Sequence, residues 1–157
     1  ASGQSLFTKE DVKQGDALTT EYTGYPWRDH LNIADIPYYD PYVAGQKLVE
    51  ISRHYHFAMH SHWMTDYVGH RGTLEQAISL METFDQVMAG VLDTWQDDEG
   101  LIIITSDHGN MEAMNHGKHT ENDVPTMIIG KDAVDFAEGF AQLVDFVPRM
   151  TRYLFGE

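Results

Sequence analysis

The most constraining feature of this chain is a short apolar run, Leu-Ile-Ile-Ile-Thr at 101–105, followed at once by Ser-Asp-His-Gly. The run is rich in β-branched residues throughout, which is typical of a strand buried on both faces of a parallel sheet. A second apolar run, at 126–130, comes after Pro125 and a polar loop over 107–123 that contains several glycines. These segments predict an α/β domain whose polar loop lies at a sheet edge, where ligands bind.

Helix signals begin early in the chain. Thr8 is predicted to cap a short helix over 9–14 that ends at Gly15. Asp40 followed by Pro41 predicts the start of a longer helix. Apolar residues then recur at helical spacing over 44–55.

A long helix is predicted after Thr73, which forms a capping box with Gln76. Its apolar stripe comprises Leu74, Ile78, Met81, Phe84, Met88, Val91, Leu92 and Trp95. Gly90 lies inside this helix, where it costs about 1 kcal/mol relative to alanine, so close packing must account for it. A last helix is predicted over 145–154.

The fold class that follows is α/β, with a mostly parallel sheet flanked by helices. A further strand is predicted over 57–65, ending at Asp66. Residues 1–44 are interpreted as an irregular and helical covering segment, either the tail of a preceding insertion or a cover for the core. Residues 45–157 are interpreted as the C-terminal part of the α/β domain, and we expect the chain to hold only part of that domain.

Charge and composition narrow the function. Ten Lys and Arg against 25 Asp and Glu give a net charge of −15, which disfavours nucleic acid and anionic membrane surfaces as partners. The chain has no cysteine, which excludes disulfides, thiolate metal sites and a cysteine nucleophile. No run approaches the roughly 20 apolar residues of a bilayer span, and no signal peptide is recognisable, so we expect a cytoplasmic location.

Carboxylates and imidazoles follow the predicted strands. The candidates are Asp66, His70, Asp107, His108, His116 and His119. Asp66 and His70 have a spacing that lets both side chains face one point on a helical turn. Asp107 and His108 diverge if they continue a strand, so they reach either two ions or one ion through a tight turn at Gly109. Carboxylate and imidazole without thiolate suit Zn²⁺ or Mn²⁺ in a catalytic site.

Several segments together resemble the alkaline phosphatase superfamily, and most closely the branch with cofactor-independent phosphoglycerate mutase and phosphopentomutase. They are T-S-D-H-G-N-M-E at 105–112, H-T at 119–120, N-D-V-P at 122–125, D-Y-V-G-H at 66–70 and L-V-D-F-V-P at 143–148. The resemblance covers residues 45–157 and implies an alkaline-phosphatase-like fold.

The resemblance also implies a function. Two divalent ions, Zn²⁺ or Mn²⁺, sit side by side in this family. The resemblance implies that Asp66, His70 and His119 hold one ion, and that Asp107 and His108 belong to the other. A Ser or Thr nucleophile is transiently phosphorylated, and the substrate is a small phosphomonoester. The expected activity is that of a metal-dependent phosphatase or phosphomutase.

Two parts of the family pattern have no clear match. The family takes another second-ion ligand from an aspartate on an N-terminal strand, with the nucleophile shortly after it, and no such strand precedes Asp66. Ser2 and Ser5 lie in a segment that only echoes the nucleophile loop of some relatives. We therefore expect the nucleophile outside this chain, in a missing N-terminal part of the same protein. The alternative is a metal-binding segment that is catalytically incomplete and holds a single ion.

The sequence also bears on two other metal chemistries. His54, His56, His60 and His62 would line one face if residues 54–66 were all strand, which would create a second metal site. The other interpretation places the first two before the strand and the later two in hydrogen bonds within the fold. A zinc peptidase is disfavoured because the chain has no H-E-x-x-H.

Overall fold

The computed structural model describes residues 5–97 and 100–156. Its elements in chain order are α1 (Lys9–Gln14), α2 (Tyr25–Asp29), α3 (Pro41–Ser52), α4 (Met64–Arg71), α5 (Leu74–Thr94), β1 (Ile102–Thr105), β2 (Thr126–Ile129), α6 (Ala133–Ala137) and α7 (Phe146–Phe155). Short 3₁₀ turns lie at Met111–Ala113 and Leu143–Asp145. No helix in the described part is long and apolar enough to cross a bilayer.

The helix ends lie close to where the capping residues predict them. The Thr8 hydroxyl accepts the Asp11 amide in a capping box, and Gly15 ends α1 with a left-handed φ of 82°. The Asp40 carboxylate accepts the Tyr42 amide at the start of α3. The capping box at the start of α5 is also present. The structure confirms these predictions. Each cap depends on neighbouring residues alone, so it could be recognised from the local sequence.

The core forms where α3 crosses α5. Val87 and Val91 of α5 are buried against Ala44 and Val49 of α3. Two glycines let the backbones meet: a Cβ on Gly90 would lie 1.9 Å from the Tyr42 carbonyl oxygen, and one on Gly45 would lie 2.0 Å from the Val87 carbonyl oxygen. The close packing expected at Gly90 is therefore confirmed.

The covering segment has its own small apolar cluster. Val12, Ala17 and Ile36 are buried together, with Trp27 and Ile33 packed against them. Tyr22 belongs to this segment, but its side chain is buried in the core formed by α3 and α5. A division of the chain between residues 44 and 45 stays a prediction, since the tyrosine contacts both sides of that boundary.

The sheet differs from the predicted one. β1 and β2 pair antiparallel, with Ile102 opposite Ile129 and Thr105 opposite Thr126. A parallel pair needs a crossover connection, whereas the loop between these strands carries no helix longer than a 3₁₀ turn and turns back beside β1. The α/β content is confirmed, but a mostly parallel sheet is not. Ile102, Ile103 and Ile104 are half-buried rather than enclosed on both faces.

The strand predicted over 57–65 is wrong. Residues 56–63 are irregular, and Asp66 lies inside α4 instead of at a strand end. The alternate histidines of this segment pack on an aromatic ring and not on a neighbouring strand. His60 stacks on Tyr22 with 4.4 Å between ring centroids, and His62 lies 5.0 Å from the same ring. His54 and His56 are exposed, so among the described residues these four histidines form no metal-ligand group.

Lowering the pH should destabilise the fold through this histidine pair. Burial and the neighbouring His60 lower the pKa of His62 to about 4, whereas an unfolded histidine titrates near 6.5. The unfolded state therefore takes up the proton first, and stability that is complete above pH 6.5 is lost as the pH falls toward 4. We expect a loss of about 2 kcal/mol from His62, allowing for its partial exposure to solvent.

Urea unfolding at pH 7.5 and pH 4.5 measures this loss. The His62→Gln variant should show a smaller decrease between the two pH values than the parent chain. The exposed His54 provides the control, because His54→Gln should keep the parent's decrease. A parent-like decrease in His62→Gln would contradict the assignment.

Candidate metal centre

Two of the candidate ligands lie on one helix. Asp66 and His70 are one turn apart on α4, so their side chains project on the same side. The Asp66 Oδ1 and His70 Nε2 atoms are 3.3 Å apart. The helix begins just before this pair and ends at Gly72, after which α5 starts almost directly.

The loop between β1 and β2 brings two more imidazoles to the same oxygen. His119 Nε2 lies 3.2 Å from Asp66 Oδ1 and 3.0 Å from His70 Nε2. His108 Nε2 lies 3.8 Å from Asp66 Oδ1, and its ring stacks on that of His119 with 3.6 Å between centroids. Three imidazole nitrogens, one from α4 and two from the loop, thus surround one carboxylate oxygen. Asp66, His108 and His119 satisfy the distances expected of metal ligands.

A carboxylate holds this loop in shape. Glu112 accepts the Asn110 amide at 2.7 Å, the Asn122 side-chain amide at 3.0 Å and the Thr120 hydroxyl. The hydrogen bonds from Thr120 and Asn122 lower the pKa of Glu112 to about 2, so it remains ionised through the physiological range. Glu112 therefore holds Thr120, the residue after His119, close to Asn110, which lies two residues after His108.

Gly109 contributes close approach rather than a special backbone angle. A Cβ there would lie 2.1 Å from the Thr120 hydroxyl oxygen and 2.5 Å from Glu112 Oε1. The backbone of Gly109 also pairs with Thr120 in an isolated antiparallel bridge. At this glycine, where a tight turn was expected, the structure shows a close approach between two segments of the loop.

The protonation states suit a cation. Burial opposes ionisation of Asp66, but hydrogen bonds from Asn110 and His119 and the nearby His70 lower its pKa below the ordinary value. His70 Nδ1 lies 2.8 Å from the Gly117 carbonyl oxygen, which only accepts, so Nδ1 carries the proton and neutral His70 has its lone pair on Nε2. That lone pair faces the ionised Asp66 oxygen, and a bound cation satisfies both. The donor set therefore fits a divalent metal ion.

Asp107 lies at the rim of the group. Its carboxylate is 86% exposed, and its Oδ1 is 3.6 Å from His108 Nε2. The structure thus brings Asp66, His70, His108 and His119 together, with Asp107 at the edge of the group beside His108. His116 is exposed and accepts the Lys118 amide, outside the group. Ser2 lies outside the described residues, and Ser5 is exposed.

Asn110 and Glu112 also take part in the candidate metal centre, although the sequence alone did not indicate a role for either residue. Both stand in the motif at 105–112, next to the recognised ligands. The available signal was their position, because polar residues directly after a strand-end ligand often hold that ligand's loop. Their partners were not predictable, since the hydrogen bonds to Asp66, Thr120 and Asn122 depend on the fold.

Fold and site together define an α/β protein with a carboxylate–imidazole centre suited to a divalent ion. Residues 43–150 match the family model of the Metalloenzyme superfamily, and the chain belongs to this family. Membership implies a divalent metal.

Curated relatives carry the name 2,3-bisphosphoglycerate-independent phosphoglycerate mutase. The protein of Methylobacillus flagellatus is 36% identical over 107 residues, which cover 64% of this chain and 21% of the relative. That of Thiobacillus denitrificans is 30% identical over 151 residues, which cover 85% of this chain and 29% of the relative. The chain therefore spans less than a third of these relatives. No solved structure matches the chain.

Proposed function

We propose that the complete protein containing this chain catalyses divalent-metal-dependent phosphoryl transfer on a small phosphomonoester. The observation that carries the proposal is the convergence of three imidazole nitrogens on Asp66 Oδ1, within 3.8 Å. Family membership and the names of the relatives support the same chemistry. Those names make a phosphomutase acting on phosphoglycerate the first activity to test, with phosphatase as the other form.

The proposed ligand roles are those that the sequence resemblance to this family implies. In this proposal Asp66, His70 and His119 hold one ion, and Asp107 and His108 hold the other. The contact between the rings of His108 and His119 supports two neighbouring ions, because it brings the two ligand sets side by side. When bound, such ions supply charge stabilisation at the phosphoryl oxygens and activate a hydroxyl nucleophile.

The chain's own residues orient this centre. The Gly117 carbonyl oxygen fixes the tautomer of His70, and Glu112 holds the loop that carries His119. The exposed carboxylate of Asp107 leaves the rim of the centre open to solvent, where a phosphorylated substrate enters. The nucleophile is proposed to lie in a missing N-terminal part of the protein.

The second candidate is a segment that binds metal without turnover. It is favoured by the exposed position of Asp107, which belongs to no group of three potential metal ligands among the described residues. Native mass spectrometry of the chain after reconstitution with Zn²⁺ or Mn²⁺ separates the two. Two ions per chain support the complete centre, and one ion without phosphate release supports the incomplete segment.

Activity of the complete protein should depend on one loop histidine and not on its neighbour. We expect His119→Ala to lower the conversion of 3-phosphoglycerate, or release of phosphate from it, by more than about 100-fold, because a metal ligand is lost. Asp107→Ala should have a comparable effect. His116→Ala, in the same loop but outside the group, should stay near the parent rate. Parent-like rates in both ligand variants, or activity that resists chelator, would overturn the proposal.

A further inference from the structure

Asn110 makes two contacts with the central ligand. It lies in the motif at 105–112, is 5% exposed, and donates from Nδ2 to Asp66 Oδ1 at 2.8 Å and to the Asp66 backbone carbonyl oxygen at 3.3 Å. Both partners accept only, so the amide nitrogen must face them. Asn110 therefore joins the loop after β1 to the oxygen around which the imidazoles gather.

Gly69 provides the space that Asn110 occupies. A Cβ on Gly69 would lie 2.2 Å from Asn110 Oδ1, 2.5 Å from its Cγ and 3.0 Å from its Nδ2. Gly69 lies inside α4 and lacks a left-handed φ, so conformational freedom does not account for it. Glycine within a helix costs about 1 kcal/mol relative to alanine. At position 69 that cost is accompanied by the space that the Asn110 side-chain amide occupies.

The other end of the amide is not satisfied. Asn110 Oδ1 is buried and has no hydrogen-bond partner among the described residues. An unsatisfied buried acceptor costs about 1–3 kcal/mol. An asparagine that served stability alone would gain by satisfying both ends of its amide, whereas one that orients a ligand needs only the directed hydrogen bond to the Asp66 carboxylate.

We infer that Asn110 is a positioning residue, which holds the Asp66 carboxylate toward the imidazoles and depends on the gap at Gly69. The inference rests on the proposed function, in that the group around Asp66 is taken to bind a divalent ion. A carboxylate held by a buried amide is already oriented before an ion arrives, so less ordering is needed on binding. Gly69 in the motif at 66–70 and Asn110 in the motif at 105–112 therefore contact each other directly, and each is needed for the contact.

Co²⁺ binding to the 157-residue chain tests the role, because its visible absorption spectrum reports both affinity and ligand geometry. Asn110→Ala should bind Co²⁺ about 10–100-fold more weakly than the parent and change the spectrum. Asn115, exposed in the same loop, provides the matched control, and Asn115→Ala should bind within twofold of the parent. Affinity and spectrum that match the parent in Asn110→Ala would overturn the inference.

Gly69→Ala tests the same contact from the helix side. It keeps the inference testable if Asn110→Ala fails to fold. Helix propensity alone favours alanine, but the new Cβ should displace the amide and weaken Co²⁺ binding at least tenfold. The double variant Gly69→Ala/Asn110→Ala should bind no more weakly than Asn110→Ala alone and should melt above Gly69→Ala. Losses in Co²⁺ affinity that simply multiply would show two separate effects and overturn the inference.

A metal-free measurement separates this inference from the proposed function. A parent chain that takes up no Co²⁺ contradicts the proposed function. NMR of the metal-free chain then still decides whether Asn110 holds Asp66: the side-chain amide protons of Asn110 should exchange slowly, and at least tenfold faster in Asp66→Ala. Exchange that is equal in the two proteins would overturn the inference even if Co²⁺ binds.

Discussion

Replacing Asp66 with alanine is expected to weaken Zn²⁺ binding by the 157-residue chain more than 100-fold. Asp66 is the only carboxylate in the group that it forms with His108 and His119. Its loss removes the single anionic ligand of that group and the atom to which the imidazoles are directed. Loss of partners of metal ligands commonly costs about 10–100-fold in affinity, so loss of this ligand should exceed that range.

Isothermal titration with Zn²⁺ measures the effect. Asp85→Asn, on the exposed side of α5, removes one negative charge without touching the group and should leave the affinity within twofold. This control separates ligation from the general attraction of an acidic chain for cations. Circular dichroism verifies that α4 persists in Asp66→Ala. An affinity within tenfold of the parent would show that the imidazoles bind the ion without Asp66.

The sequence predicted the residue types at this site better than their geometry. The spacing of Asp66 and His70 predicted a shared helical face, which the structure shows on α4. The positions of His108 and His119 near one edge were also predicted, because both follow an identifiable strand. The contact between their rings was not, since it depends on where Glu112 and Gly109 fold the loop back.

The limits of prediction for the fold have the same origin. Caps at Thr8, Asp40 and Thr73 are local, so they could be read from a few residues. Strand partners are not local: the apolar run at 102–105 predicts burial but does not name its neighbour, and its observed partner is antiparallel. The failed strand over 57–65 shows the same limit, because its alternating histidines pack on Tyr22 from a distant segment.

The glycine at position 90 was a deviation from helix propensity that pointed correctly to tertiary structure. A glycine in a long capped helix is unfavourable by about 1 kcal/mol, so the sequence itself required a packing reason. The structure supplies it in the contact between α3 and α5, where both helices place a glycine. Deviations of this kind are predictive because local and tertiary preferences conflict at them.

Gly90→Ala is therefore expected to lower the free energy of unfolding by about 2–3 kcal/mol, although alanine is the better helix former. The added Cβ would lie 1.9 Å from the Tyr42 carbonyl oxygen and 3.2 Å from the Gln46 nitrogen, and rigid backbone cannot yield as a side chain does. The helices must separate, which exposes Val87 and Val91.

Urea unfolding, monitored by circular dichroism, measures this change against the reverse substitution next to it. Ala89 is exposed on the same helix, and Ala89→Gly should lose about 1 kcal/mol from propensity alone. Gly45→Ala, which approaches the Val87 carbonyl oxygen from the other helix, should be destabilised like Gly90→Ala. If Gly90→Ala were as stable as the parent, helix propensity would outweigh the contact, and the crossing of α3 and α5 would be looser than the structure describes.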